Sequence, residues 1–164
     1  MSVNITLKKP DKSNSKEIFK IIKESRTLDL NSEYLYLLLS THFQDSCSLA
    51  FIKDELASLV LAYYLPNESK TLFIWQIATK KEFRGNNLTL KLLEDIVSRK
   101  EINKLITTVN PNNIASSKIF EKFAKNNNSE LTKSILFSKD DFLNSHEDEV
   151  LFTIHLKGEK NENI

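Results

Sequence analysis

The sequence has very little cysteine and glycine, and it lacks a long apolar run. Cys47 is the single cysteine, so an internal disulfide and a cysteine-based metal cluster are excluded. Because its neighbours resemble the start of a strand, Cys47 is interpreted as a small buried hydrophobe rather than a nucleophile. No run approaches the roughly 20 apolar residues that span a bilayer. The polar N-terminus lacks the apolar stretch of a signal peptide, so we expect a cytoplasmic protein.

Charge of either sign is not in excess. The 23 Lys and Arg residues nearly cancel the 22 Asp and Glu residues, which leaves a net charge of +1. This balance gives no general reason to expect a nucleic acid or an anionic membrane as a partner. No set of His, Cys, Asp and Glu residues has metal-ligand spacing, so no metal is expected.

What is present suffices for one packed domain. Hydrophobic residues make up 40% of 164 residues, and no linker or repeat divides the chain. We expect a single domain over residues 1–157 and a polar tail over residues 158–164. Apolar periodicity predicts a mixed α/β layer structure. Predicted strands cover residues 3–7, 48–53, 56–65, 71–79, 104–110, 131–137 and 149–156. Predicted helices begin near residues 14, 33, 88 and 113, and residues 66–70 form a polar loop. In the second helix, Tyr34, Leu37, Leu38 and Thr41 recur at helical spacing, and Ser32 is the predicted N-cap.

The chemically suggestive unit is the apolar strand 71–79, the turn 80–87 and the helix from Leu88. A helix that begins in a tight loop presents unpaired backbone N–H groups and the positive end of its dipole to phosphate oxygens. Arg84 adds a cation, and Gly85 allows the main chain to approach a ligand closely. The alternative is a plain connection, and the glycine pattern excludes a Walker loop or a dinucleotide fingerprint.

The segment Arg84-Gly85-Asn86-Asn87-Leu88-Thr89 resembles the pyrophosphate-binding segment of the GNAT acetyltransferase superfamily. Asn87 replaces the first signature glycine of that segment, and Thr89 replaces the final small residue. Asn is the non-glycine residue that best tolerates a left-handed backbone, at a cost of about 1–2 kcal/mol. The resemblance implies that these six residues bind acetyl-CoA. By the same resemblance, Ile77 and Thr79 on the preceding strand hold the pantetheine arm, and Asn113 contacts it. The alternative for Asn113 is a helix N-cap.

Four longer blocks narrow the resemblance: LDLNSEYLYLLLSTHF, TLFIWQIAT, TTVNPNNIASSKIF and HEDEVLF. They are similar to the diaminobutyrate acetyltransferases of ectoine synthesis, from about residue 5 to residue 156. This family implies a mostly antiparallel twisted sheet of about seven strands, with about four helices on both faces and a splay between the fourth and fifth strands. It also implies a homodimer that transfers acetyl from acetyl-CoA to the γ-amine of L-2,4-diaminobutyrate.

Catalysis by this family requires removal of a proton from the substrate ammonium group. A group of pKa near 10.4 is only about one part in 10³ neutral at pH 7. Many GNAT enzymes use a tyrosine as general acid where this chain has Phe120. The candidates for acid–base help are therefore Glu149, His146 and Tyr34, in that order.

The resemblance places the diaminobutyrate at Asp29, Tyr34, Trp75 and Glu149, with Asp29 and Glu149 meeting amines. The alternatives are that Asp29 caps a helix, that Tyr34 and Trp75 are core aromatics, and that the acidic loop is solvated. At the level of function, the alternatives are an acetyltransferase for another amine (a polyamine, ornithine or lysine) and a non-catalytic CoA-binding module.

Overall fold

The computed structural model describes residues 2–156, which form seven strands and four helices. The hydrogen-bonded strand order is β1-β2-β3-β4-β5-β7-β6, with β4 and β5 parallel and the β1–β2, β2–β3, β5–β7 and β6–β7 pairs antiparallel. The strands are β1 Ile5–Lys8, β2 Ser48–Ile52, β3 Glu55–Leu65, β4 Glu68–Thr79, β5 Lys104–Val109, β6 Glu130–Phe137 and β7 Glu149–His155. The helices are α1 Ser15–Ser25, α2 Glu33–Thr41, α3 Leu88–Val97 and α4 Ile114–Asn126. The predicted mixed α/β class, strand number and helix number are confirmed.

The described chain divides into two compact units, one of residues 2–63 and 75–100 and one of residues 64–74 and 101–156. The first unit holds a core of buried side chains from α1, α2, β2 and β3, among them Ile18, Ile22, Tyr36, Leu49 and Leu59. In the second unit, β5, β7 and β6 form a continuous antiparallel ladder. A single domain over residues 1–157 stays a prediction, and the proposed tail lies outside the described residues.

The parallel ladder between β4 and β5 is short. It joins Thr71–Ile74 to Lys104–Thr107, and the Thr107 hydroxyl donates to the Ile74 carbonyl at 3.0 Å. β4 continues for five residues beyond this ladder, to Thr79. The splay between the fourth and fifth strands stays a prediction.

The buried face of α2 differs from the face that helical spacing suggested. The sequence pattern singled out Tyr34, Leu37, Leu38 and Thr41, whereas the buried residues are Tyr36, Leu39 and Ser40. Because α2 is apolar nearly all round, its hydrophobic pattern does not select one face. The predicted cap is confirmed, since the Ser32 hydroxyl accepts a hydrogen bond from the Leu35 N–H at 3.3 Å.

The connections on either side of β3 also differ from the prediction. The tip of the β2–β3 hairpin is Lys53–Asp54, one residue earlier than expected, and both residues have positive φ (50° and 64°). This is the backbone twist of a two-residue hairpin loop, which Asp tolerates well. β4 begins at Glu68, so most of the polar loop predicted for residues 66–70 is strand. Glu68 pairs with Lys104 at 3.3 Å, which shows how polar side chains extend the strand outside the core.

Ser40 carries a stability prediction. Its side chain is buried, and its Oγ is the buried side-chain atom without a hydrogen-bond partner among residues 2–156. Replacing Ser40 with Ala removes an unsatisfied hydroxyl and improves helix propensity, so we expect the free energy of unfolding to rise by about 1 kcal/mol. Urea unfolding followed by circular dichroism measures this change.

Ser46→Ala is the matched control for Ser40→Ala. Ser46 is equally buried, but its Oγ donates to the Ala62 carbonyl at 2.6 Å. Its loss leaves that carbonyl with only the weaker donor Cys47 Sγ at 3.4 Å, so this variant is expected to unfold at lower urea. Equal shifts in the two variants would contradict the assignment of Ser40.

Candidate active site

The N-terminus of α3, where the sequence predicts a phosphate site, lies in the first unit. The segment 80–87 leads from β4 into α3 through a short 3₁₀ turn, Lys81–Phe83. Arg84, Gly85 and Asn87 are exposed there, while Leu88 is buried and anchors the helix. A Cβ built on Gly85 would have no heavy atom within 4 Å. The space beside Gly85 is therefore open, and Arg84 and the N–H groups of the first turn of α3 are the positive groups nearby in the sequence.

Backbone conformation explains the residue types in this turn. Gly85 has φ +88°, a region that L side chains rarely adopt. Asn87, the N-cap of α3, has φ 54° and ψ 32°, which is left-handed. The left-handed backbone that the resemblance requires at the substituted glycine is thus retained with Asn. The Asn86 side chain stabilises the turn by donating to the Phe83 carbonyl at 2.9 Å.

The left-handed Asn87 gives a second stability prediction. We expect Asn87→Ala to lower the free energy of unfolding by about 1 kcal/mol or more, because a Cβ is disfavoured in this conformation and Asn tolerates it better than Ala. Asn87→Gly is the matched control, and it is expected to be more stable than Asn87→Ala because glycine adopts this conformation without strain. Chemical denaturation of the three proteins checks this order, and an Ala variant as stable as the Gly variant would contradict it.

Polar contacts fix the end of β4 next to this turn. The Thr79 hydroxyl lies 2.7 Å from the Ser58 hydroxyl and 3.5 Å from that of Thr89, the second residue of α3. Burial alone would lower the pKa of Lys80, but its hydrogen bond to Glu55 and the charges of Glu55 and Glu17 outweigh burial and raise that pKa. The Lys80–Glu55 distance is 3.0 Å. These contacts hold the end of β4 in place. The predicted cofactor residues Ile77 and Thr79 on this strand are half-buried.

Asp29, Tyr34 and Trp75 also lie in the first unit. Asp29 is exposed in the connection between α1 and α2, and it is not the N-cap of α2, which is Ser32. Tyr34 is 69% exposed, so it is not a core aromatic. Trp75 is half-buried against the core, with its ring 6.2 Å from that of Tyr36. The carboxylate and both rings can therefore reach a ligand, and Tyr36 is the tyrosine that belongs to the core.

His146 and Glu149 come together in the second unit. The loop before β7 places Nε2 of His146 3.8 Å from Oε1 of Glu149, the first residue of the strand. The imidazole stacks on the Phe142 ring, with centroids 3.7 Å apart and planes at 8°. Asp148 accepts from the Lys139 N–H at 2.7 Å. The loop is thus held by specific contacts, and it brings an imidazole and a carboxylate within ion-pair distance of each other.

The predicted asparagine Asn113 is half-buried and caps α4. Its side chain accepts a hydrogen bond from the Ser116 N–H at 3.1 Å. Capping is therefore confirmed, and contact with CoA stays a prediction. On the same helix, Phe120 is 2% exposed and carries no proton donor, so the side chain at this position is a core residue.

Cys47 is buried, and burial raises the pKa of its thiol to about 11. At neutral pH it is a thiol rather than a thiolate, so it is a poor nucleophile. Within residues 2–156, no group of three His, Cys, Asp or Glu side chains is arranged to hold a metal ion. Over the same residues, no helix has the length and apolarity needed to cross a membrane.

Sequence reasoning missed two residues that support the predicted site. Gln76 is a single amide within the apolar run TLFIWQIAT, and its side chain is bonded to the Asp29 carbonyl and to Tyr36. The sequence signal was that amide, since a buried polar side chain needs partners. Phe142, which stacks on His146, had no comparable signal because a phenylalanine in a polar loop has many possible contacts.

Comparisons with known proteins show which families this chain is similar to. Residues 15–124 match the model of the acetyltransferase (GNAT) family. The chain is 36% identical to an L-2,4-diaminobutyric acid acetyltransferase of Methylotuvimicrobium alcaliphilum, over 92% of this chain and 90% of that protein. It is 34% identical to the protein of the same name from Vibrio parahaemolyticus, over 92% and 85% of the two chains. Among solved structures, it is similar to diaminobutyrate acetyltransferase EctA from Paenibacillus lautus in complex with L-2,4-diaminobutyric acid and coenzyme A. That similarity has a TM-score of 0.89, 27% identity, and coverage of 94% and 96%.

Proposed function

The chain belongs to the acetyltransferase (GNAT) family and, within it, to the diaminobutyrate acetyltransferases, and we propose that it acetylates the γ-amine of L-2,4-diaminobutyrate with acetyl-CoA. The observation that carries this proposal is similarity over nearly the whole chain to a structure that holds that substrate and coenzyme A. The product would be Nγ-acetyl-L-2,4-diaminobutyrate, a precursor in ectoine synthesis.

The turn before α3 fits the CoA pyrophosphate. Arg84 is an exposed cation, Gly85 has the positive φ that permits close approach, and α3 begins at a left-handed Asn87. We propose that segment 84–89 binds the phosphates and that Ile77 and Thr79 present main-chain groups to the pantetheine arm, as an added strand would pair. Asn113 is proposed as a further contact of that arm.

We propose that Glu149 is the general base. The γ-ammonium must lose a proton before its nitrogen attacks the thioester carbon, and deprotonation at pH 7 costs about 4–5 kcal/mol without help. In the ternary complex the C–N bond forms, the C–S bond breaks, and the CoA sulfur leaves with the electron pair and takes a proton. Glu149 accepts the amine proton, and His146, whose Nε2 lies 3.8 Å from Oε1 of Glu149, is the second candidate for acid–base help.

The substrate's second amine needs a partner that is not the base. We propose that the exposed carboxylate of Asp29 binds the α-ammonium, while Tyr34 and Trp75 line the same substrate. Trp75 can also place a cation over its ring face. Separate carboxylates for the two amines would fix which nitrogen reacts, because a substrate in the reverse orientation would leave a charge unpaired.

The experiment is a spectrophotometric assay of CoA release. We expect release from acetyl-CoA with 2,4-diaminobutyrate as acceptor, and kcat/KM for it above the values for ornithine, lysine and spermidine. A higher kcat/KM for one of the other amines would overturn the substrate assignment. Tight CoA binding with no transfer to any amine would support a non-catalytic module instead.

A homodimer in the cytoplasm is the proposed setting of the reaction. The edge strand β6 exposes Ile135 (60%), Leu136 (41%) and Phe137 (47%). An edge with adjacent apolar side chains on both faces favours association with a second chain. Sedimentation velocity would show a dimer that Leu136→Glu shifts toward monomer. A parent protein that sediments as a monomer would overturn the proposed homodimer.

A further inference from the structure

A buried side-chain amide on β4 is hydrogen-bonded to the middle of the connection between α1 and α2. Gln76, on β4, is 4% exposed. Its Nε2 donates to the backbone carbonyl of Asp29 at 2.8 Å, and its Oε1 accepts from the Tyr36 hydroxyl at 3.1 Å. The Tyr36 hydroxyl accepts in turn from the Asn31 N–H at 3.4 Å. Two backbone groups of the segment 29–31 are thus bonded, directly or through Tyr36, to one side chain of β4.

This arrangement separates the backbone of Asp29 from its side chain. The carbonyl is bonded inside the protein, whereas the residue as a whole is exposed. A carboxylate on a surface connection would ordinarily sample many positions with its backbone. Here the backbone is fixed and the carboxylate is left available, which is the preorganised state of a binding group.

Core packing alone does not require an amide at this position. The buried residues around Tyr36 are largely aliphatic, and the Phe19 and Trp75 rings pack near it at 5.9 Å and 6.2 Å. An amide buried beside such a core must have its hydrogen bonds satisfied or it destabilises the fold. Both polar atoms of the Gln76 side chain are satisfied, and one of the two bonds goes directly to Asp29.

We propose that Gln76 is a positioning residue that sets substrate specificity by fixing Asp29. The inference rests on the proposed function, in which the Asp29 carboxylate binds the α-ammonium of diaminobutyrate. Gln76 does not itself touch the substrate in this account. It holds the backbone from which the Asp29 carboxylate projects. Without Gln76, the segment 29–31 can move, and the carboxylate no longer occupies one fixed position.

The test compares Gln76→Met with the parent. Met has a similar length and no amide, so the Asp29 carbonyl and the Tyr36 hydroxyl both lose a partner. We expect KM for 2,4-diaminobutyrate to rise about 10-fold or more, with a smaller change in kcat and an unchanged KM for acetyl-CoA. With 4-aminobutyrate, which has the reacting amine but no α-ammonium, kcat/KM should not change. Tyr36→Phe keeps the Gln76–Asp29 bond and should give a smaller rise.

Ser46→Ala controls for a general loss of stability. It removes another buried side-chain bond to a backbone carbonyl in the same unit, and it should leave KM for diaminobutyrate at the parent value. Hydrogen exchange supplies a readout that needs no turnover. The Asn31 amide should exchange about 10-fold faster in Gln76→Met and at the parent rate in Ser46→Ala.

The outcomes separate the two proposals. An active parent whose KM for diaminobutyrate is the same in Gln76→Met overturns the role of Gln76 and leaves the proposed function standing. A parent that does not acetylate diaminobutyrate overturns the proposed function and the specificity role together. A fall in kcat/KM that is equal for diaminobutyrate and 4-aminobutyrate also overturns the inference, because it would show general damage.

Discussion

Glu149→Gln is expected to lower kcat for diaminobutyrate acetylation by about 10²–10⁴-fold, the usual contribution of a positioned general base. The amide is nearly isosteric with the carboxylate but cannot accept the amine proton. The KM for acetyl-CoA should change little, since the CoA contacts are proposed at segment 84–89. Steady-state kinetics with both substrates varied measures the two effects separately.

The activity loss in Glu149→Gln should depend on pH. The γ-amine of unbound substrate is protonated at neutral pH, so removal of its proton by a base contributes most there. As pH approaches the amine pKa near 10.4, a growing fraction of substrate is already neutral. The activity deficit of Glu149→Gln should therefore narrow as pH rises, and a deficit that is constant over pH would indicate a role in binding rather than in proton removal.

Glu147→Gln is the matched control for Glu149→Gln. Glu147 is exposed on the same loop. Its backbone carbonyl contacts His146. The same carboxylate-to-amide change there should leave kcat within about twofold, because surface substitutions away from special features have small effects. Full activity of the Glu149 variant would remove Glu149 as the base and direct attention to His146 and Tyr34.

Phe120→Ala is expected to lower the free energy of unfolding by about 3–5 kcal/mol. Phe120 is among the largest fully buried side chains, and its removal forfeits transfer free energy and leaves a cavity. The free energy of unfolding of a small domain is only about 5–15 kcal/mol, so this single substitution removes a large fraction of that stability. Urea unfolding followed by circular dichroism gives the value.

Ile114→Ala provides the comparison for Phe120→Ala on the same helix. Ile114 is 64% exposed, so its truncation removes little buried surface, and the expected change in unfolding free energy is within about 0.5 kcal/mol. A large loss in both variants would mean that α4 is sensitive along its whole length. A small loss in both would contradict the burial of Phe120.

Much of the fold followed from local patterns. The caps Ser32 and Asn113, the amphipathic α1, α3 and α4, and the strand and helix order were all predicted and found. These features depend on residues close in sequence, where capping geometry and periodicity act directly. The exceptions included the ends of the β2–β3 hairpin, the start of β4 and the bounds of β1. Strand ends depend on partners from other parts of the chain, which a single sequence does not display.

The site divides along the same line. The residue types at Arg84, Gly85 and Asn87 indicated a phosphate-binding turn, because glycine and asparagine are suited to left-handed backbone wherever they occur. That feature is local, and the structure has both residues at positive φ. The sequence similarly indicated Asp29 and Glu149 through the family resemblance, since motifs carry residue identity without geometry.

By itself, therefore, the sequence determined the α/β class, the acetyltransferase family and the conformation of the turn before α3. Only the tertiary structure decided which tyrosine of α2 is buried and which is exposed, because α2 is apolar on both sides and packing alone selects its inward face. Only the tertiary structure joined Gln76 to the carbonyl of Asp29, 47 residues away. A hydrogen bond over that separation depends on the position of two distant segments, and no local pattern contains it.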